Sequence, residues 1–565
     1  MFTQRLNHIS LLLLGLFSCG AATAQDSLLL RDISTVRLQD AWLRHDNAAA
    51  LTRLAVPDIA TALVATTSEH GGLVDYSGAR RQLTADVAVE AFSRLSRRTV
   101  VYGAISYQNF SGKDMTGSAF TPHLSPLTSH LSPLTSQFSP LTSHLSPLSS
   151  PRRPFDLVED SLTNIGDKHL DTYQLQGGVG VDLWHGIAVG ARVDYTSANY
   201  AKYKDLRHKN KLLDLSLTAG LYAPLTAWLS VGADYQYHRQ TESVTFRTYG
   251  KSEKVYKTLI DYGTFMGRVE QFGNEGFTDK SREMPLFEDG HGGGLQAELR
   301  PLPQLSLLAT ARMSHGTGYY GRRSPYTITY TGHDRDVAEL SVALSYTAAS
   351  SQHYIDLAFR REKLENRAET FRELTNQSGA TYYEYFDPVE TGDKWWRDLQ
   401  LSYTLLLGMQ GETPAWRLSV GYQWGKRTQR AFLYPFFRRQ HLHTNGASLS
   451  LTRNLLTRGG LWSFNVEGGF SKGSGSPYDD YVFSMPSTRQ EPPATMEAYL
   501  WREYQWLCAA QYHVGGSVQY AFVFPATRLK TFARLSASHR KANQTYAFSR
   551  GNDRTRLSLA LGCVF

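Results

Sequence analysis

The chain of 565 residues is 41% apolar, 12% aromatic and only 19% charged, with a net charge of +8 and a mean hydropathy of −0.35. That hydropathy excludes a bundle of membrane helices, each needing about 20 consecutive apolar residues. The aromatic and leucine content excludes a wholly disordered chain. Length alone predicts several domains, whereas the alternation along the chain predicts one large β-rich unit.

Residues 1–24 read as an export signal. Arg5 is their only charge, residues 9–17 are apolar, and Ala22-Thr23-Ala24 is an A-x-A site with cleavage expected between Ala24 and Gln25. Leu16-Phe17-Ser18-Cys19 offers a competing lipobox acylated at Cys19, which Phe17 fits poorly. Only Cys508 and Cys563 remain after cleavage, too few for a disulfide framework or a cysteine metal site. Residues 25–57 form an N-terminal periplasmic or plug segment. Within it, 36–54 carry Leu38, Trp42, Leu51 and Leu54 as the apolar positions of a helix that either fills a lumen or lies across its rim.

From residue 58 to Phe565 the dominant signal is period-2 alternation, the mark of strands with one apolar face. Over 173–183, Tyr173, Leu175, Val179, Val181 and Leu183 oppose Gln174, Gln176, Gly178, Gly180 and Asp182. Over 187–196, Ile187, Val189, Ala191, Val193 and Tyr195 oppose Ala188, Gly190, Arg192, Asp194 and Thr196. The pattern recurs over 213–221, 229–237, 340–346, 399–405, 416–424, 462–470 and 514–522. It closes with Leu557, Leu559, Leu561, Cys563 and Phe565 against Ser558, Ala560 and Gly562. Soluble β-sandwiches alternate as well. Here, though, the strands reach the roughly 9 to 11 residues that cross a bilayer at a tilt, and aromatics gather near strand ends.

The connections alternate in length. Tight turns fall near 96–97, 185–186, 224–225, 301–303, 350–351, 410–414, 457–459 and 525–526. Long connections cover about 71–81, 112–171, 199–209, 240–290, 317–335, 366–393, 429–441, 473–511 and 541–552. Eight turns and nine long connections predict an all-β fold, a transmembrane antiparallel β-barrel of about 18 strands (16 to 20) over residues 58–565, in the bacterial outer membrane. Closure is a chemical requirement, because an open sheet edge in hydrocarbon leaves backbone N–H and C=O groups unpaired.

Residues 123–150 are four near-identical heptads, HLSPLTS, HLSPLTS, QFSPLTS and HLSPLSS; the proline in each excludes a coiled coil and predicts a tandem insertion in the second outer loop. The basic stretch 200–211 places Lys202, Lys204, Arg207 and Lys209 at an outer strand end, to contact lipopolysaccharide phosphates or to form an electrostatic pore mouth. His291-Gly292-Gly293-Gly294 and Gly469-Phe470-Ser471-Lys472-Gly473 match esterase motifs. The second needs a strand, a tight turn and a helix, and Ser471 lies instead where a strand opens into an outer loop. His441 and His443 share a strand face without a third ligand at metal spacing. No catalytic residue, metal or cofactor is expected.

On the predicted inner faces stand Asp182, Arg192, Asp194, Asp214, Asp234, Glu298, Arg300, Arg312, Asp356, Arg360, Asp398, Arg417 and Glu467. Water or a plug must solvate them, since a cation on the lipid face costs about 2 to 4 kcal/mol at the midplane. An 18-stranded barrel is wide enough for an aqueous channel. These side chains are therefore candidate pore-lining groups, and the expected function is a channel or transporter for a small solute. The alternatives are a closed structural or partner-binding barrel in a surface complex and, third, an outer-membrane enzyme. Expected partners are outer-membrane lipid and lipopolysaccharide, surface-complex proteins, and the barrel assembly machinery, for which Phe565 is the assembly signal. Nucleic acid is not expected in this compartment.

Five strings carry a resemblance: residues 109–120 (NFSGKDMTGSAF), 155–160 (FDLVED), the basic stretch at 199–210, 259–278 (LIDYGTFMGRVEQFGNEGFT), and Gly318-Tyr319-Tyr320-Gly321. Through them the chain, from about Ser27 to Phe565, resembles an uncharacterised family of outer-membrane β-barrel proteins from Bacteroidota, a domain of unknown function. The resemblance implies location and fold and transfers no catalytic residue. The heptads interrupt its pattern, as an insertion would.

Overall fold

A computed structural model describes residues 33–56, 58–122, 152–159, 165–249, 256–272, 284–324, 326–410, 413–457, 459–524 and 529–565. The expected export signal and the heptads lie outside the described residues. After the helix α1 (Ile33–Gln39) come β1 (Asp58–Gly71), β2 (Arg81–Arg94), β3 (Thr99–Met115) and the short β4 (Asp156–Glu159). There follow β5 (Gly166–Trp184), β6 (Ile187–Lys202), β7 (Arg207–Pro224), β8 (Leu229–Arg247) and a hairpin of β9 (Tyr256–Gly263) and β10 (Met266–Phe272). The series resumes with β11 (Met284–Leu302), β12 (Leu305–Ser324), β13 (Thr327–Thr347), β14 (Ser351–Thr375), β15 (Thr381–Gln410), β16 (Thr413–Leu433), β17 (Phe436–Thr457) and β18 (Gly460–Val482). β19 (Ala494–Thr495), α2 (Glu497–Cys508), β20 (Gln511–Val523), β21 (Lys530–Ala542) and β22 (Asp553–Val564) complete the chain.

Eighteen strands, all but β4, β9, β10 and β19, form one antiparallel sheet, and β1 closes it by pairing with both β2 and β22. The barrel therefore has the strand number that turn counting predicts, with neighbouring strands on either side of the predicted tight turns; the turn at 525–526 lies outside the described residues. Alternation sets the faces. Leu213, Leu217 and Leu221 of β7, Leu449, Leu451 and Leu455 of β17, and Leu557, Leu559 and Leu561 of β22 point outward and stay exposed, whereas Thr218, Ser450, Thr452 and Ala560 between them are buried inside. Trp184, Trp228, Trp416, Trp462 and Phe524 stand exposed near the short-turn rim, where an aromatic girdle is favoured.

Four of the expected long connections are hairpins instead, among them that at 199–209, where only four residues separate β6 from β7. β12 and β13, β14 and β15, and β16 and β17 stay paired almost to their tips, as in Glu373↔Tyr383 and Leu433↔Phe436, with register shifts in the first two pairs. Apolar alternation marks only the stretch that meets lipid. Beyond it the ladder continues without that alternation, with aromatic residues such as Phe371, Tyr385, Phe432 and Phe437 set among charged ones, because cross-strand hydrogen bonds need no apolar face.

The expected single helix over 36–54 is also corrected. α1 ends at Gln39, and two 3-10 segments follow at Ala41–Arg44 and Ala48–Arg53. Asp40 and Asn47 interrupt the helix, since their side chains accept the N–H of Trp42 and of Ala49, each at 3.1 Å. The segment lies inside the barrel rather than across its rim. Ile33, Val36, Leu43, Leu51, Leu54 and Val56 pack on the inward Ile59, Leu63, Phe92, Val100, Phe532 and Val564. At the opposite end β4, β9, β10 and β19 form a second, four-stranded sheet that fills the outer mouth together with α2.

Candidate functional site

The barrel interior is organised in tiers. In the lowest, the N-terminal segment engages the wall through polar groups. Trp42 Nε1 donates to Glu298 at 2.9 Å, and its ring packs edge-on against Tyr222 with centroids 5.0 Å apart. Arg53 spans Asp40 at 2.9 Å, Tyr222 Oη at 2.8 Å and Glu298 at 3.4 Å. Arg44 meets Asp356 at 2.8 Å, and Asp46 meets Arg312 at 2.6 Å and Arg192 at 3.4 Å. Asn47 Nδ2 donates to the Leu221 carbonyl at 2.9 Å and to Gln296 at 3.0 Å, and Arg37 reaches Glu90.

The wall is shaped to receive this segment. A methyl group on Gly180 would lie 2.6 Å from the Ala48 carbonyl oxygen, and one on Gly232 2.8 Å from the Trp42 ring. One on Gly190 would overlap the Ala49 backbone nitrogen, and one on Gly220 the Asn47 side-chain oxygen. These four glycines occupy inward positions of β5 to β8 where only a missing side chain permits so close an approach.

In the next tier Arg152, from the described end of the second outer loop, points into the barrel. It lies 2.9 Å from Glu362 and pairs with Asp398. Glu362 also holds Arg335 at 2.8 Å and Arg360 at 3.0 Å, and Arg335 meets Glu288 at 3.0 Å. Arg153 donates to the Thr121 carbonyl, so the two described ends flanking the heptads touch each other at the barrel top. Above them, α2 is tied to the wall by Glu503, which accepts from Arg427 at 3.0 and 2.7 Å. Asp261 of β9 accepts from the Gly263 N–H at 2.9 Å, and burial, with Asp156 opposite it, pushes its carboxyl up to about 7 against the pull of Lys394.

Of the expected lining residues, the structure brings Arg192, Asp194, Asp234 and Arg312 together around Asp46, with Arg192–Asp194 and Arg312–Asp234 both at 2.8 Å. Glu298 and Arg300 join at 2.8 Å beside Arg53, Asp356 faces Arg44, and Arg360 and Asp398 belong to the Arg152 cluster. Asp214 stands apart with His238 at 3.0 Å, Asp182 sits at the short-turn end of β5, and Arg417 is buried on β16. Glu467 lines a separate inner cavity of about 240 Å³ with Glu69, His513, Arg540, Arg554 and Arg556. Glu69 holds Arg554 at 2.7 Å and Arg556 at 3.6 Å. Arg554 and Arg556 lie just ahead of the apolar alternation that begins at Leu557, where no apolar neighbour marks the strand face. Carrying its phase two steps back places both inside.

The basic stretch divides. Lys204 and Lys209 are exposed, and Arg207 pairs with Asp205 at 2.8 Å. Lys202 is buried: Glu159 takes its amine and that of Lys168, the latter at 2.9 Å. Its expected contact with the outer leaflet or pore mouth is thus corrected, since the covering β4 brings a carboxylate that the strand pattern does not reveal. His441 and His443 lie outside the barrel with Nε2 atoms 3.1 Å apart, and β18 runs on past Ser471 to Val482 without a helix.

Fold and interior together define a closed transmembrane β-barrel with an inserted N-terminal segment. The chain belongs to a family of unknown function, DUF6850, whose model matches residues 163–565. Similar solved structures include BauA, the ferric preacinetobactin receptor from Acinetobacter baumannii, at 8% identity over 89% of this chain and 80% of that one, with a TM-score of 0.40. The ferric citrate transporter FecA is 10% identical over 90% and 79%, with a TM-score of 0.37. The alcaligin outer-membrane receptor FauA from Bordetella pertussis is 10% identical over 89% and 76%, with a TM-score of 0.35. No curated protein matches the chain.

Proposed function

We propose that the protein is a gated outer-membrane transporter whose N-terminal segment is the removable element of the gate. The observation that carries this reading is the pairing of inward wall charges on β6, β11, β12 and β14 with Asp46, Trp42, Arg53 and Arg44. The ion pairs of Asp46 and Arg44 keep partial exposure and are individually modest, so this part of the segment is held by small terms and can leave without unfolding a wall of continuous hydrogen-bonded ladders. Once it leaves, Arg192, Asp234, Glu298, Arg312 and Asp356 become a mixed-charge lining for a small polar solute.

Single-channel conductance of the purified barrel tests this. The full chain should stay closed, and an Arg44→Ala/Asp46→Ala variant should open intermittently. If neither that variant nor a chain lacking residues 33–56 ever conducts, the transporter reading fails. The filled outer mouth favours the second reading, a closed partner-binding barrel, and permanent closure in all three proteins would select it.

A further inference from the structure

The outward face of β14 to β17 carries a row of charge that the interior does not use. Strand register sets Arg361 opposite Arg397, Arg397 opposite Lys426, and Lys426 opposite His443. The row ends at Ala338 on β13 and Ser474 on β18. Like charges directly opposite one another destabilise a sheet. Among the described residues no carboxylate lies within ion-pair distance of Arg361, Arg397 or Lys426. The acids nearby are engaged by other cations: Glu365 by Lys363 and Arg367, Asp393 by Arg430, and Asp479 by Arg439.

The height of the row identifies its partner. One step toward the short-turn end, the same strands present Phe359, Leu399 and Trp424 outward, and one step further Leu357, Leu401 and Tyr422. Cations therefore begin where the apolar belt ends, at the level of lipid headgroups on the outer side. A recess of about 720 Å³ opens there among Trp395, Arg397, Lys426, Arg430, Arg439 and His441. Trp395 lines it, with the Arg361 guanidinium 5.0 Å and the Lys363 amine 5.3 Å from its ring centroid, and the one lining carboxylate, Asp479, is paired with Arg439.

We propose that this face binds a phosphorylated glycolipid of the outer leaflet, with its phosphates on Arg361, Arg397 and Lys426 and its acyl chains on the Phe359–Leu399–Trp424 belt. Three uncompensated cations across two inter-strand spacings, about 10 Å, suit more than one phosphate, which separates this lipid from a zwitterionic phospholipid. Acyl chains need the belt, which separates it from free phosphate. The inference rests on the barrel lying in the outer membrane and not on its transporting anything, so conductance results do not bear on it.

The test titrates the purified full chain in detergent with diphosphorylated lipid A, its dephosphorylated form and inorganic phosphate, following bound lipid by native mass spectrometry. Diphosphorylated lipid A should bind at least about tenfold more tightly than the other two, since it alone offers both acyl chains and charge-assisted acceptors, and the binding should weaken with salt. Arg361→Gln/Arg397→Gln/Lys426→Gln should lose that preference, whereas Arg97→Gln/Arg98→Gln, exposed at a short turn on the opposite rim, keeps it. Equal binding of the dephosphorylated lipid, equal binding of free phosphate, or an unaffected triple variant would each overturn the proposal. If the triple variant does not fold, the lipid and salt comparisons on the unaltered protein still decide.

Discussion

Asp46 of the N-terminal segment lies 2.6 Å from Arg312 on β12, and the same guanidinium lies 2.8 Å from Asp234 on β8. Arg312 is thus shared between the inserted segment and the wall. Asp46→Ala leaves Arg312 with Asp234 and Arg192 with Asp194, so the wall stays neutralised while the segment loses both ion pairs. For a partly exposed carboxylate the loss is roughly 1 kcal/mol, about a fivefold rise in the open fraction. Bilayer recordings should show that rise, and an unchanged open fraction would remove Asp46 from the gate.

Gly190 and Gly220 admit the segment by lacking side chains. Val at Gly190 meets backbone of residues 48 and 49, which cannot rotate away, so Gly190→Val should expel the segment at a cost of about 1 to 3 kcal/mol or more. Gly177→Val is the control, because its methyl would lie 3.5 Å from Val193 on the outer face, an ordinary contact. Limited trypsin digestion should cut at Arg37, Arg44 and Arg53 in the first variant and spare the second, with both barrels still shifting on heating in gels.

The outer cap should loosen with alkali. Burial raises the Asp261 carboxyl to about 7, above the usual value of about 3.9 for an unfolded chain. A carboxyl raised in this way contributes stability fully below its unfolded value and loses it as pH climbs through about 7. Hydrogen exchange over Tyr256–Gly263, corrected for intrinsic rates, should therefore be faster at pH 8.5 than at pH 6. Asp261→Asn retains an acceptor for the Gly263 N–H and should abolish the dependence. A persistent pH effect in that variant would assign it to another group.

Phe565 closes the seam. Its N–H donates to the Ala60 carbonyl at 3.0 Å, its carbonyl accepts from the Ala60 N–H at 2.7 Å, and its ring stays exposed. Deleting it removes both bonds and the ring together, and should lower assembled barrel in membranes several-fold. Phe565→Ala keeps the backbone pair, so it isolates the ring. Normal assembly of that variant would sink the reading of Phe565 as a recognition signal.

The barrel was legible because its physics is local. A strand between lipid and lumen must alternate, as residues 213–221 do, and a tight turn must interrupt it, as at His185-Gly186, where both residues adopt positive φ. Counting these features reaches eighteen strands without any long-range information. The alternation also placed Arg192, Asp234, Glu298 and Arg312 inward, yet was silent about their partners. Asp46 and Arg312 are separated by 266 residues, and nothing in either local pattern encodes that approach. Lys202 shows the same gap from the other side: it reads as a surface cation until β4 sets Glu159 against it. Local periodicity determines which face a side chain takes. Only the folding of nonperiodic segments into the lumen decides which charges meet, because loop and plug contacts carry no repeat from which they can be read.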